Sequence, residues 1–213
     1  MIKGIIFDFD GVIVDTETKK FSDLRGIMRK KGYSISNDIF PDFVGKKTFF
    51  FLNEKFPDIS KKDFEDIMNK RRKLQHEQIG KNKLIAGIEN LLYFLKKNNI
   101  KIGIATGSGK EFVEKILEIN KIKDFFDFLV TGEDFSSSKP DPECFLKAIE
   151  KIKLPKEEII IIEDSIAGIT AAKSIDVKVF AIRTYLKNEE LQKADKIFKN
   201  HFDLLEEIKT IIR

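Results

Sequence analysis

Gly4-Ile5-Ile6-Phe7-Asp8-Phe9-Asp10-Gly11-Val12 opens with a short apolar run that stops on a carboxylate and meets a second carboxylate two residues later. The run is continuous rather than alternating. Continuous apolarity in a strand-length segment means that both faces are covered, as in a parallel sheet between layers of helix. Four further runs of this kind follow, at 101–105, 128–130, 159–162 and 177–182. Between them the period changes from strand to helix. Ile88, Leu91, Leu92 and Leu95 mark a helix over 88–97, and Asn98-Asn99 ends it. Similar stripes predict helices over 112–119, 145–152, 166–174 and 202–212, the second of these with Pro142 ahead of it in a tolerated place. Strand alternating with helix predicts an α/β fold, a doubly wound parallel sheet with right-handed crossovers.

One stretch departs from this rhythm. Between Thr16 and Gly80 no buried strand can be read, and amphipathic patterns predict helices over 21–31, 48–56 and 64–79. Gly32 stands where a helix C-terminus wants glycine. The expected organisation is therefore a core domain of residues 1–15 plus 81–213, with residues 16–80 as a small helical domain inserted after the first strand. The cluster Phe49-Phe50-Phe51 is expected to serve as the insertion's own core.

Ligands of open α/β sheets bind beyond the carboxyl ends of the strands. There the sequence places Asp8 and Asp10 after the first strand and Thr106-Gly107-Ser108-Gly109 after the second. Lys139 follows the third, and Glu163-Asp164-Ser165 the fourth. Taken singly, each has a plain structural explanation: a strand-end Asp caps a helix, and a lysine is solvated. Together they gather four carboxylates and one ammonium at one edge. Two like charges ~4 Å apart repel by about 4 kcal/mol at an effective dielectric of about 20. A divalent cation removes most of that cost, and oxygen-only donors select Mg²⁺ over zinc. A proton on one carboxyl, expected on Asp10, relieves it further.

Asp8-Phe9-Asp10-Gly11-Val12-Ile13-Val14-Asp15-Thr16 resembles the opening motif of the haloacid dehalogenase superfamily. Thr106, Lys139-Pro140, and Glu163-Asp164 followed by Gly168-Ile169 and Ala171-Ala172 resemble its other three motifs, in order. The chain looks most like the subgroup that holds β-phosphoglucomutase, phosphoglycolate phosphatase and small sugar-phosphate phosphatases. The resemblance implies the strand order 3-2-1-4-5 and a helical cap over the site. It implies Asp8 as nucleophile, Asp10 as acid and base, and Lys139 and Thr106 as catalytic partners. It implies Mg²⁺ on Asp8, the Asp10 carbonyl and Asp164, with Glu163 adjacent or through water. Gly107 and Ser108 would hold phosphoryl oxygens. Lys46, in the loop Val44-Gly45-Lys46-Lys47-Thr48, and Arg72, in Lys70-Arg71-Arg72-Lys73, are the expected substrate contacts from the cap.

The expected activity is Mg²⁺-dependent hydrolysis of a small phosphorylated metabolite through an aspartyl phosphate. A phosphomutase is the alternative. It is weakened because Lys20 stands about where β-phosphoglucomutase has a His, and Thr48 near its Arg. A phosphometabolite-binding protein without catalysis is the third reading, and every expected catalytic residue argues against it. The net charge of +4 is spread without a basic stripe, so no nucleic-acid partner is expected. No leader and no spanning run is read, which makes a cytoplasmic enzyme without membrane contact the expectation, a monomer by default. The single Cys144 is read as a small core residue.

Overall fold

The computed structural model describes residues 1–212. Strand β1 (Gly4–Phe7) is followed by helices α1 (Glu17–Arg29), α2 (Phe40–Phe43), α3 (Thr48–Lys55) and α4 (Lys61–Glu77). The chain then alternates: α5 (Ile88–Lys97), β2 (Lys101–Ala105), α6 (Lys110–Ile119), β3 (Phe128–Val130), α7 (Glu143–Ile152), β4 (Ile159–Glu163), α8 (Ile166–Lys173) and β5 (Lys178–Ile182). It closes with α9 (Asn188–Leu191), β6 (Lys196–Phe198) and α10 (His201–Ile211).

The strands form one parallel sheet in the order β3-β2-β1-β4-β5-β6. The expected order holds for five strands, and β6 extends it on the edge beside β5. β1 lies at the centre and all four of its residues are buried. Alternate side chains then feed opposite layers. Ile5 and Phe7 enter one core with Leu91, Leu95, Val113 and Leu204. Ile6 enters the other with Phe145, Ile161, Ile169 and Cys144. Each such side chain contributes about 1.5–3 kcal/mol by leaving water. The central position follows from this, because only a strand apolar on both faces tolerates cover on both.

The four helices after β1 bury a third, separate cluster that includes Phe21, Leu24, Met28, Phe43, Phe51 and Leu52. The Phe43 and Phe51 rings meet edge to face with centroids 5.1 Å apart. The phenylalanine trio divides its labour. Phe51 is fully buried in this cluster, whereas Phe49 is 46 % exposed and faces the cavity described below. At α4, Ser60 caps the helix by accepting a 3.1 Å bond from the Asp63 N–H. The two linkers of the insertion run side by side. Asp15 N–H donates to Lys83 O (3.0 Å) and Ile85 N–H to Ile13 O (2.9 Å). No helix of the described residues is long and apolar enough to cross a membrane.

Candidate active site

The carboxyl ends of β1, β2 and β4 and the loop after β3 converge under the insertion. Asp8 directly follows β1, and its N–H continues the sheet ladder to Ile162 O at 2.9 Å. Its carboxylate is buried and receives the Lys139 ammonium at 2.6 Å. Lys139 is equally buried and also reaches Glu163 at 2.5 Å. Burial would strip the lysine of its proton, but Asp8 and Glu163 outweigh it and hold its pKa well above the ordinary value.

Glu163 and Asp164 are adjacent but differ in their surroundings. One Glu163 oxygen takes Lys139; the other accepts from the N–H groups of Asp164 (2.8 Å) and Ser165 (3.0 Å) and from the Ser165 hydroxyl (2.9 Å). Asp164 is fully buried and neither of its carboxylate oxygens has a partner among the described residues. Glycine makes both placements possible. A Cβ on Gly11, whose φ is +83°, would stand 1.9 Å from an Asp164 oxygen. One on Gly168 would stand 1.8 Å from Glu163.

Asp10 is satisfied from three sides. Its Oδ1 accepts from the Thr16 hydroxyl and pairs with the Lys20 ammonium, each at 2.5 Å. Its Oδ2 accepts from the Ser108 hydroxyl at 2.5 Å, with Thr106 Oγ1 at 3.4 Å. Burial alone would raise the Asp10 pKa, but Lys20 and these hydroxyls hold it below the usual carboxylate range. The expectation that Asp10 holds the extra proton is therefore corrected in this arrangement. Proton affinity is raised instead at Asp8, which burial and then the nearby Glu163 and Asp10 push up to about 8 despite Lys139. Asp164 is likewise pushed well above the ordinary range by burial, Glu163 and Asp8.

Two buried carboxylates, one without any partner, fit a hard divalent cation. Asp8 and Asp164 would hold Mg²⁺ with the Asp10 carbonyl, and this ion keeps several waters rather than requiring a full protein cage. Among the described residues no three His, Cys, Asp or Glu side chains form a ready-made metal cluster. Glu163, expected adjacent to the metal or through water, has both oxygens engaged by Lys139, Ser165 and the backbone, and the Asp10 side chain is engaged by Thr16, Lys20 and Ser108.

A cavity of about 400 Å³ opens above these groups, and Asp8, Asp10, Thr106, Gly107 and Ser108 form its floor. Ser108 is near the position expected, but its hydroxyl is turned to Asp10. Lys46 reaches the wall, yet its ammonium pairs with Glu54 at 2.7 Å. Its neighbour Lys47 makes the crossing contact instead. The Lys47 ammonium donates to Gly132 O (2.9 Å) and Phe135 O (3.2 Å), and its N–H to Ser138 Oγ (3.1 Å). Arg72 lines the cavity on an exposed position, next to Arg71, which is half-buried. Sequence reasoning named neither Thr16 nor Lys20 as a contact of Asp10. Their spacing of four, which puts them on one helix face, was the available signal.

The family model described as haloacid dehalogenase-like hydrolase matches residues 5–182. YhcW of Bacillus subtilis is 32 % identical over 84 % of this chain and 82 % of its own. A phosphorylated carbohydrates phosphatase of Thermotoga maritima is 27 % identical over 83 % of each. Among solved structures, a β-phosphoglucomutase of Clostridium difficile superposes with a TM-score of 0.82 at 28 % identity, over the full length of both chains. With the motifs assembled at one sheet edge, this match over most of its length places the chain in the haloacid dehalogenase-like hydrolase family.

Proposed function

We propose that this chain is a Mg²⁺-dependent phosphatase that hydrolyses a small phosphorylated metabolite through an aspartyl phosphate on Asp8. The observation that carries the reading is the buried Asp8 carboxylate, fixed by Lys139 and lying in the field of an unpartnered Asp164. The name of the Thermotoga relative supports a phosphorylated sugar as the kind of substrate. A bound Mg²⁺ supplies charge neutralisation at the phosphoryl oxygens.

The residues divide the work as follows. An Asp8 oxygen bonds to phosphorus as the bond to the leaving oxygen breaks. Lys139, the Thr106 hydroxyl and the Gly107 N–H stabilise charge on the transferring group, which is most of what phosphoryl transfer requires. Asp10 gives a proton to the leaving oxygen; the negative charge of the arriving phosphate raises its proton affinity for that step. With the alcohol gone, Asp10 takes a proton from water as the water oxygen attacks phosphorus, and the bond to Asp8 breaks. The helices of the insertion act as a cap that keeps bulk water from the intermediate.

The test is hydrolysis of p-nitrophenyl phosphate with Mg²⁺ and with EDTA, in the native chain and in Asp8→Asn. Turnover that needs Mg²⁺ and vanishes in the variant supports the proposal. Activity above a few per cent in Asp8→Asn removes Asp8 as nucleophile. The full-length similarity to a phosphoglucomutase sustains one second reading. Formation of glucose 6-phosphate from β-glucose 1-phosphate plus a trace of the bisphosphate, without free phosphate, would establish it.

A further inference from the structure

Helix α4 turns one face to the cavity: Met68, Arg71, Arg72 and Gln75 lie at spacings of three, four and seven along it. The cations elsewhere in the wall are committed. Lys20 holds Asp10 and Glu17, Lys46 holds Glu54, and Lys47 is bound to backbone carbonyls. Arg71 is different. Its Nε is buried and has no hydrogen-bond partner among the described residues. The carboxylates whose fields reach it are Glu17, Asp10 and Asp23. Lys20 has already taken the first two, and Lys19 the third. A half-buried guanidinium at a cavity wall, with every nearby carboxylate assigned elsewhere, is a receptor for an anion that the protein does not supply.

We propose that Arg71 binds a second anionic group of the substrate, a carboxylate or another phosphate, so that the preferred substrate is a phosphomonoester with two acidic ends. The cavity of about 400 Å³ is in the range that takes a whole small metabolite rather than a phosphate alone. One end is read by the floor around Asp8, the other by α4. The planar guanidinium fork suits carboxylate and phosphate alike through paired N–H donors. Exposed Arg72, one residue on, adds positive field at the mouth and draws anions toward the buried neighbour. The proposal rests on the phosphatase reading for the reaction, but its central claim concerns binding and is tested without turnover.

The experiment is titration calorimetry of the Asp8→Asn protein with Mg²⁺ at fixed ionic strength. Three ligands share one scaffold: glucose 6-phosphate, 6-phosphogluconate, which adds a carboxylate, and glucose 1,6-bisphosphate, which adds a phosphate. At least one doubly anionic ligand should bind about tenfold tighter than glucose 6-phosphate, and which one does so identifies the second group. Adding Arg71→Met should bring the three within about twofold of one another, and Arg71→Lys, which keeps the charge but not the fork, should fall between. Melting curves of both variants show that the fold is kept; if Arg71→Met does not fold, the Arg71→Lys comparison decides. Equal affinities with Arg71 intact, or a preference that survives its replacement, overturns the proposal. Absence of p-nitrophenyl phosphate hydrolysis by the native chain would instead overturn the phosphatase reading and leave the binding result standing by itself.

Discussion

His201, the first residue of α10, is fully buried, and the Val12 backbone is the polar group that reaches its ring. Burial pushes its pKa down from 6.5 to about 4, against a smaller opposing effect of the Val12 backbone. The folded state therefore refuses a proton that the unfolded chain accepts. The stability that this neutral ring contributes is complete above the unfolded pKa and is lost as pH falls through the window between 6.5 and about 4. At about 1.4 kcal/mol per pKa unit, a fall from 6.5 to about 4 is worth roughly 3.5 kcal/mol in all, of which about 2.5 kcal/mol is lost by about pH 4.5. Asp8 and Asp164, whose pKa values are raised, titrate with the opposite sign, so the native protein alone does not isolate the histidine. The informative quantity is the difference from His201→Leu, which keeps the volume and removes the titration. Urea unfolding of both proteins at several pH values between about 7.5 and 4.5 measures it. Native protein should lose about 2.5 kcal/mol more than the variant over that interval. Parallel curves would refute the reasoning, because they would mean that the ring is hydrated or already protonated in the fold.

Asp164→Asn should raise the melting temperature of the protein in EDTA, by the equivalent of about 1–3 kcal/mol, because it removes an unpartnered buried carboxylate from the fields of Glu163 and Asp8. The same variant should lose Mg²⁺-dependent turnover; a lower melting temperature would show that Asp164 has a protein partner. Lys20→Met deprives Asp10 of the ammonium that holds its pKa low, so the pH above which kcat/KM falls should move upward, with kcat reduced by about 10- to 100-fold. An unmoved profile would separate Lys20 from the acid-base step. Tyr185→Phe removes a hydroxyl that accepts from the N–H groups of Thr16 and Glu17 (3.1 and 3.2 Å) and donates to Asp15 (2.6 Å). It should cost about 1–3 kcal/mol by urea unfolding and raise KM, whereas unchanged values in both assays would show that the hydroxyl does not fix the linker.

The strands were legible where burial on both faces left unbroken apolar runs, and β1, β2 and β3 begin and end where those runs do. β6 was not legible. Its three residues, Lys196-Ile197-Phe198, are exposed or half-buried at the sheet edge and carry no period. The placement of Asp8, Asp10, Thr106 and Lys139 at one edge followed from strand ends alone, since parallel strands bring all carboxyl ends together. Orientation within adjacent pairs did not follow. Glu163 and Asp164 are neighbours at a strand end, but only packing against Lys139 and Ser165 decides which one is consumed. Lys46 and Lys47 are separated in the same way by a loop whose Gly45 has a φ of +79°, and Arg71 and Arg72 by about 100° of helical rotation. Lys139 reaches Glu163 from 24 residues away and Lys47 crosses from the insertion to Gly132 and Phe135 in the core; such contacts are distant in sequence and have no local signature.

Those contacts join the position of the insertion to the state of Asp10. Thr16 and Lys20 belong to the start of the insertion, yet they supply two of the three short contacts to the Asp10 carboxylate. Tyr185, from the loop after β5, fixes the N–H groups of Thr16 and Glu17, and its ring meets Phe40 of α2 edge to face at 5.9 Å. Lys47 ties the far side of the insertion to Gly132 and Phe135. A cation 2.5 Å from Asp10 favours its ionised form, which is the form that would activate water in the proposed mechanism. An incoming phosphate dianion opposes Lys20 in that field and favours the protonated form, which is the form that releases the leaving group. The two half-reactions of the proposed mechanism ask Asp10 for opposite protonation states, and the charge that shifts between them is the substrate's own, acting against a lysine fixed by the insertion. An insertion held away from the core would leave Asp10 with Ser108 and Thr106 alone, exposed to water and without that opposing charge. In the proposed mechanism acid-base competence is thus a property of the assembled cavity, while the proposed nucleophile Asp8 is held in place by Lys139 within the core.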